Sequence, residues 1–480
     1  MKLPQFDEIK KVHIVAVCGT LMGPFAAYLK RRGIEVTGSD QNVYPPMSDV
    51  LRTAGVELMN GFRAENITGQ KNRPDLVVIG NVVRSDNPEA RAAIDGGYAY
   101  TSLPEAMEKL LLGPTRNLVV AGTHGKTTTS SMLAHTLVSA QANPSYFIGG
   151  VSPDIPNSFH VGNSASGGYF VLEGDEYDTA FWDKVPKFNH YLPDDVILTS
   201  VEYDHADIYP DMNAVMRAFD GLMTRIRPGG RLIACADYEN VMAVAKLAKV
   251  PVITYSTSAK TPADYCVGQS RVVDGITHFE ILKSGKKIED VAIQLSGLHN
   301  MANALSVWIE CKESGISSDA ILKGLRSFRG VKRRQEVRGE VRGVVIIDDF
   351  AHHPTAVRET LKALKLRYPG KRMVAVFEPR SATSRRKVFQ KDYVEAFQEA
   401  DATFIAAPYD QTRIAAQDQF SSAQLVQDLI ELGKSAHLMS TVEQGIVDVS
   451  KFSKDGDLVA VLSNGGFGGF IPKLLEQLRS

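Results

Sequence analysis

The sequence predicts an α/β protein of three domains, and three observations predict it. Short β-branched runs recur along the chain, each followed by glycine or turn residues and then by a segment of helical period. Such alternation means strands and helices built around mostly parallel sheets. The length of 480 residues, at about 150 per domain, exceeds one core and divides into roughly three. The chain also breaks at two places, Gly113-Pro114 and the glycine-interrupted basic stretch Phe328–Arg334. A proline restricts the residue before it and removes a backbone donor, which favours a boundary. The expected domains are residues 1–113, 114–329 and 330–480.

The strands are expected, in order, at Val12–Val17 and Leu76–Ile79, then Asn117–Ala121, Tyr169–Leu172 and Val196–Ser200. The last third repeats the pattern at Val344–Ile347, Met373–Phe377, Thr403–Ala406 and Leu458–Leu462. A helix-like stretch, Leu103–Leu112, closes the first third. Ligands of such sheets sit beyond the carboxyl ends of the strands, so the residues just after these runs are where chemistry is sought.

Composition narrows the function. Lys plus Arg total 54 against 55 Asp plus Glu, which argues against a nucleic-acid-coating protein, since those carry a basic excess. With 44% hydrophobic and 23% charged residues the chain is neither disordered nor fibrous. Cys18, Cys235, Cys266 and Cys311 form no CxxC pair and no zinc-spaced cluster, which fits a reduced, cytoplasmic location. The N-terminus is interrupted by Pro4, Asp7 and Glu8, and no apolar run reaches the length of a membrane span, so neither a signal peptide nor membrane insertion is expected.

After the first strand stands Cys18-Gly19-Thr20-Leu-Met-Gly23, and Asp40 follows a second extended stretch. A glycine turn and an acid about twenty residues on are the dinucleotide-fold arrangement. The GxGxxG pattern is incomplete, because Val17 stands where its first glycine would be. Asn81, just after Ile79-Gly80, is either a ligand contact or a loop cap.

The strongest single signal is Gly122-Thr123-His124-Gly125-Lys126-Thr127-Thr128-Thr129, between the strand Leu118–Ala121 and the helix-like Ser130–His135. Glycines let backbone N–H groups face phosphates, and a helix N-terminus adds positive potential. Lys126 would neutralise the β and γ phosphates and Thr127 would ligate magnesium. The loop reads GxxGKT, shorter than the usual GxxxxGK[ST]; a tight strand-to-helix turn is the alternative. Two acidic clusters, Glu173–Asp178 and Glu202–Asp207, lie at later strand ends, where carboxylates around Mg²⁺ have their charge opposed by the ion. Alone, each also reads as a solvated acidic turn. His205, between Asp204 and Asp207, is a candidate metal ligand or a hydrogen-bonded structural histidine.

GTHGKTTT at Gly122–Thr129, EGDEYD at Glu173–Asp178, EYDHADIY at Glu202–Tyr209, His299-Asn300-Met-Ala-Asn303 and Asp348-Asp349-Phe-Ala-His352-His353-Pro354 together resemble the Mur ligases, the ATP-dependent amide-forming enzymes of peptidoglycan synthesis. Order and spacing hold over essentially the whole chain. The resemblance implies a Rossmann-like N-terminal domain for a UDP-sugar, a central P-loop ATPase domain and a Rossmann-like C-terminal domain for the incoming amine. It implies that Lys126 holds the phosphates, Thr127 and Glu173 one magnesium and His205 a second. Asn300 and Asn303 would contact the adenine side, and Arg334 and Asp349 would reach ATP from the linker and C-terminal domain. Cys18, Gly19, Thr20, Gly23, Asp40 and Asn81 would line the UDP-sugar site. Relatives often carry a carbamylated lysine downstream of the metal histidine; no lysine lies between His205 and Arg225, so none is expected here.

Within the family, Val43–Ser48, Phe377–Ser381 and Ser463–Gly469 resemble the member that joins UDP-N-acetylmuramate to a murein peptide in peptidoglycan recycling. The alanine-adding member has Pro-His-Arg-Tyr where this sequence reads Pro379-Arg-Ser-Ala382. The peptide's expected contacts are His353, Arg380, Ser381, Arg385 and Asn464, since arginines offer planar pairs of donors to carboxylates. Arg386 joins these arginines, although arginines after a strand also simply solvate a surface. His352 or His353 would assist deprotonation of the amine, or would be structural. The rival functions are alanine ligation and a non-catalytic nucleotide-binding switch.

Overall fold

The computed structural model describes residues 3–44, 47–155, 157–162 and 167–480; Pro45 and Pro46 of the Val43–Ser48 segment lie outside them. The chain forms two compact units, Met1–Val201 with Met216–Tyr255 and Ser306–Leu325, and Glu202–Val215 with Ser256–Leu305 and Arg326–Ser480. The architecture is three-domain α/β.

The first unit holds two sheets. One has five parallel strands in the order Glu57–Asn60, Glu35–Asp40, Lys11–Val15, Leu76–Ile79, Tyr100–Ser102. Its central strand is buried along its whole length, as expected when helices cover both faces. The strand stops at Val15, short of the expected Val17, because Ala16 turns to φ 65°. The other sheet places Ser145–Phe147, Tyr169–Gly174, Arg116–Ala121, Asp195–Leu198, Arg231–Cys235 and Val252–Ser256 in parallel neighbouring positions. The two-residue strand Phe159–His160 closes its edge antiparallel. Aromatic contacts join the two layers: Phe159 sits edge-on to Phe25 and Tyr28, and Phe181 and Trp182 pack against the core of the five-stranded sheet.

In the second unit the strand Glu336–Val341 runs antiparallel to Val344–Asp349. Leu458–Leu462, Met373–Phe377, Ala402–Ala406 and Ser435–Met439 then follow in parallel. Its two faces bury separate cores, one around Phe377, Tyr393 and Phe397, the other around Phe404, Phe467 and Phe470. Tyr265–Val273, Ile276–Lys283 and Lys286–Ile293, where no strand is expected from the sequence, form an antiparallel meander. Asp274-Gly275 and Ser284-Gly285 connect these strands with positive φ at both central residues, the turn geometry whose twist matches paired strands.

Candidate active site

The phosphate loop is built by the end of the Arg116–Ala121 strand and tied to its neighbour. Gly122 adopts φ 133°, and a Cβ there would lie 2.3 Å from Thr199 Oγ1, so no other residue fits without movement. Thr123 N–H donates to Ser200 O at 3.0 Å, and His124 N–H to Ser200 Oγ at 2.8 Å. Thr199 Oγ1 donates to His124 O at 2.5 Å. These uses of Thr199 and Ser200 explain why the strand expected to reach Ser200 ends at Leu198. Gly125, at φ 82°, is the N-cap of the helix Lys126–Ser139. The helix therefore begins at Lys126, four residues before the expected Ser130, and puts Lys126, Thr127 and Thr128 on its first turn. Glycine's left-handed conformation lets the chain turn directly from loop to helix.

Lys126 Nζ donates to Gly122 O at 2.6 Å and to Thr123 O at 3.3 Å, and pairs with Glu176 at 2.8 Å. Burial opposes its charge, but Glu176 and Asp175 outweigh that and hold its pKa above the usual lysine range, so it stays an ammonium. Asp175 pairs with Lys187 at 2.5 Å; burial would raise its pKa, yet Lys187 and Lys126 bring it down to about 2. Thr127 Oγ1 donates to Glu173 Oε1 at 2.5 Å, and Gly149 N–H holds Oε2 at 2.6 Å. A hydroxyl and a carboxylate that meet at one point at a helix start are hard oxygen donors suited to magnesium. Thr127 and Glu173 thus fit the ion by geometry and by donor type.

In the five-stranded layer, Cys18 N–H donates to Asp40 Oδ2 at 2.9 Å, so the acid shapes the glycine turn as well as facing the strand end. Burial and Asp40 push the Cys18 thiol up to about 11, which leaves it protonated and unreactive. Gly19 and Thr20 are exposed, as is Asn81 after its strand. Gly23 lies inside the helix Met22–Arg31, where a Cβ would fall 2.3 Å from Met47 Sδ. It serves close packing of that helix.

The second unit places the remaining candidates. Asn300 and Asn303 are buried at the start of the helix Leu298–Glu313; Asn300 Nδ2 donates to Ser296 O at 2.8 Å, and Asn303 Nδ2 to Asn300 Oδ1 at 3.3 Å. His205 has φ 54°, and its N–H donates to Asp204 Oδ1 at 2.7 Å. Asp204 is buried; burial would raise its pKa, but His352 foremost drives it well below the carboxylate range. Thr383 Oγ1 donates to Asp204 Oδ1 at 2.6 Å. Asp204 therefore anchors the turn that carries His205.

Asp349 is buried and committed to backbone. It accepts from Gln335 N–H and Ala351 N–H, both at 2.8 Å. Burial raises its pKa, against the pull of Arg334. Arg334 lies over the Phe350 ring at 4.9 Å, with Arg333 over the same ring at 5.1 Å. Arg333, which sequence reasoning passed over, has φ 60° and donates from Nη2 to Ser463 O at 2.5 Å and Gly465 O at 2.8 Å. His353 is a buried N-cap: Nδ1 accepts from Thr355 N–H at 3.3 Å and Nε2 donates to Tyr203 O at 3.2 Å. Both ring nitrogens thus meet backbone groups.

Arg380 follows the Met373–Phe377 strand, and its Nη1 donates to Glu378 at 3.3 Å. Ser381 Oγ is shared with Ser384 at 2.9 Å, and Arg385 Nη1 donates to Asp410 O. Asn464 is half-buried, its Oδ1 shielded from solvent with no hydrogen-bond donor among the described residues. These side chains stand at the carboxyl ends of adjoining parallel strands, as the register of Phe377 with Leu462 requires.

A glycine loop and lysine at a helix start, with paired oxygens beside them on a multi-domain α/β scaffold, define a nucleotide-dependent α/β protein. Family models for the Mur ligase catalytic domain match residues 11–113, those for the Mur ligase middle domain residues 120–310 and those for the Mur ligase glutamate ligase domain residues 333–465. The chain is 37% identical over 98% of its length and 98% of the other's to the UDP-N-acetylmuramate–L-alanyl-γ-D-glutamyl-meso-2,6-diaminoheptandioate ligase of Escherichia coli. It is 33% identical to the UDP-N-acetylmuramate–L-alanine ligase of Clostridium tetani, covering 95% of this chain and 96% of that one. The crystal structure of a murein peptide ligase from Psychrobacter arcticus matches with a TM-score of 0.69 and 32% identity, over 98% of this chain and 99% of that one. The chain belongs to the Mur ligase family, and is an ATP-dependent, ADP-forming amide ligase.

Proposed function

We propose that this ligase joins UDP-N-acetylmuramate to the murein tripeptide L-alanyl-γ-D-glutamyl-meso-diaminopimelate, in the cytoplasm, as a step of peptidoglycan recycling. The observation that carries this reading is the end-to-end similarity to the Escherichia coli peptide-adding enzyme. Pro379-Arg-Ser-Ala382 standing where an alanine-adding enzyme has Pro-His-Arg-Tyr agrees with it. Residues 1–113 are assigned to the UDP-sugar, 114–329 to ATP and 330–480 to the peptide. Among the described residues no helix is long and apolar enough to cross a membrane.

A carboxylate is a poor electrophile, so the lactyl carboxylate first attacks the γ-phosphorus of ATP, displacing ADP and leaving an acyl phosphate. The peptide's α-amine then adds to the carbonyl carbon, loses a proton, and phosphate departs with the C–O electron pair. Two anions meet in the first step, and Lys126, kept charged by Glu176 and Asp175, lowers their repulsion. Magnesium, held by Thr127 and Glu173 and by His205 at a second site, would supply further charge neutralisation. Asn300 and Asn303 are assigned to the adenine side. Arg334 is assigned to ATP, and Asp349 holds the Gln335 backbone beside it. Cys18, Gly19, Thr20, Asp40 and Asn81 are assigned to the UDP-sugar, with Gly23 packing the helix behind them. Arg380, Ser381, Arg385 and Asn464 are assigned to the peptide.

The test is ADP release and product mass with UDP-N-acetylmuramate plus either the tripeptide or L-alanine. Turnover with tripeptide at least tenfold above that with alanine is expected. The reverse preference would establish the alanine ligase that the Clostridium tetani relative represents.

A further inference from the structure

The Arg380 guanidinium lies in a slot whose walls differ in rigidity. Its Cζ is 3.7 Å from the centroid of the Tyr409 ring, a close cation–π stack. On the glycine side, a Cβ built on Gly465 would fall 2.1 Å from Arg380 Cδ and Nε and 2.7 Å from Cζ. Only a residue without a side chain lets the guanidinium lie there. That wall is fixed by other groups: Arg333 holds the Ser463 and Gly465 carbonyls, and Ser463 Oγ accepts from Gly465 N–H at 3.0 Å. Below, Glu378 accepts from Arg380 Nη1 at 3.3 Å and takes Ser463 Oγ–H on its other oxygen at 2.5 Å. Nε and Nη2 of Arg380 make no hydrogen bond among the described residues. The guanidinium thus keeps one planar edge of two donors for an anion.

Tyr409 is the wall that side-chain packing does not hold. It is 59% exposed, and its backbone N–H donates to Pro379 O at 3.0 Å, which fixes where the side chain starts. We infer that Tyr409 is a positioning residue for peptide binding: its ring presses the Arg380 guanidinium against Gly465 and aims the Nε–Nη2 edge at a carboxylate of the incoming peptide. The inference rests on the proposed peptide ligation. Tyr409 touches no reacting atom and acts through Arg380.

The test compares wild type with Tyr409→Ala, Tyr409→Phe and Gly465→Ala, measuring KM and kcat for tripeptide, ATP and UDP-N-acetylmuramate. Tyr409→Ala should raise KM for tripeptide about two- to fivefold, the equivalent of about 0.5–1 kcal/mol for an exposed cation–π contact, and leave the other two KM values unchanged. Tyr409→Phe should restore the wild-type value, because the ring and not the hydroxyl makes the contact. Gly465→Ala, which pushes the guanidinium out of the slot, should raise the same KM about tenfold or more. An unchanged tripeptide KM in Tyr409→Ala, or a Tyr409→Phe enzyme as impaired as the alanine variant, would overturn the inference. A wild type that uses L-alanine and not tripeptide would overturn the substrate reading instead, so the two failures are told apart by the wild-type assay.

Discussion

Lys126 is an ammonium surrounded by oxygens, with its side chain 14% exposed and that of Glu176 3% exposed. Removing one member of so buried a pair leaves the other's charge poorly solvated, which typically costs about 3–5 kcal/mol. Lys126→Met should therefore abolish ligation and also lower unfolding free energy by about that amount. Lys126→Met combined with Glu176→Gln should recover most of the stability and none of the activity, as read by denaturant unfolding and ADP release. Recovery of neither would mean that the lysine's bonds to Gly122 and Thr123 carbonyls dominate. At this scale the loop was legible because its chemistry needs a glycine and a lysine at a strand end. Arg333 was not: beside Arg334 in a basic run the two are indistinguishable, and only the left-handed backbone at Arg333 directs it to the Ser463–Gly465 carbonyls. Tyr409 was illegible for a related reason, since its partner lies across a parallel pairing that sequence does not display.

Among the elements, the segment from Asp175 to Tyr191 runs from the phosphate site to the five-stranded layer. Lys187 holds Asp175 at one end. At the other, His190 sits between Glu108 Oε2 at 2.8 Å and Asp183 Oδ2 at 2.7 Å. Burial would lower the His190 pKa, but the two carboxylates outweigh it and raise it above the ordinary histidine value. A raised folded value means that the imidazolium's stabilisation is fully present below the unfolded pKa of about 6.5 and is lost as pH rises through the folded one. Thermal melts of wild type should fall relative to His190→Gln as pH climbs from about 6.5 upward, with the two curves parallel at higher pH. Equal pH slopes throughout would refute the ion pairs' contribution. The parallel strands were readable from β-branched runs, whereas the Tyr265–Ile293 meander was overlooked although Asp274-Gly275 is a hairpin signal. Its strands carry many polar residues on an exposed face, and a search for apolar runs passes over them.

For the whole molecule, stability and ligation are linked through binding. A ligand that binds only the folded state adds RT ln(1 + [L]/Kd), about 2.7 kcal/mol at one hundred times Kd. ATP with magnesium is assigned to the first unit at Lys126, Thr127 and Glu173, and the UDP-sugar to the neighbouring five-stranded layer around Asp40. The two ligands should therefore raise the melting transition independently, each by several degrees at saturation. Chelating magnesium should remove most of the ATP shift and leave the UDP-N-acetylmuramate shift intact, because Thr127 and Glu173, whose oxygens meet at 2.5 Å, would attract the phosphates only through the ion they would hold. Glu173→Gln should reproduce the chelated behaviour in the presence of magnesium, with the UDP-sugar shift again unchanged. An ATP shift that survives both chelation and Glu173→Gln would show that Lys126 and the loop N–H groups bind the phosphates unaided, and would remove the metal role from Thr127 and Glu173.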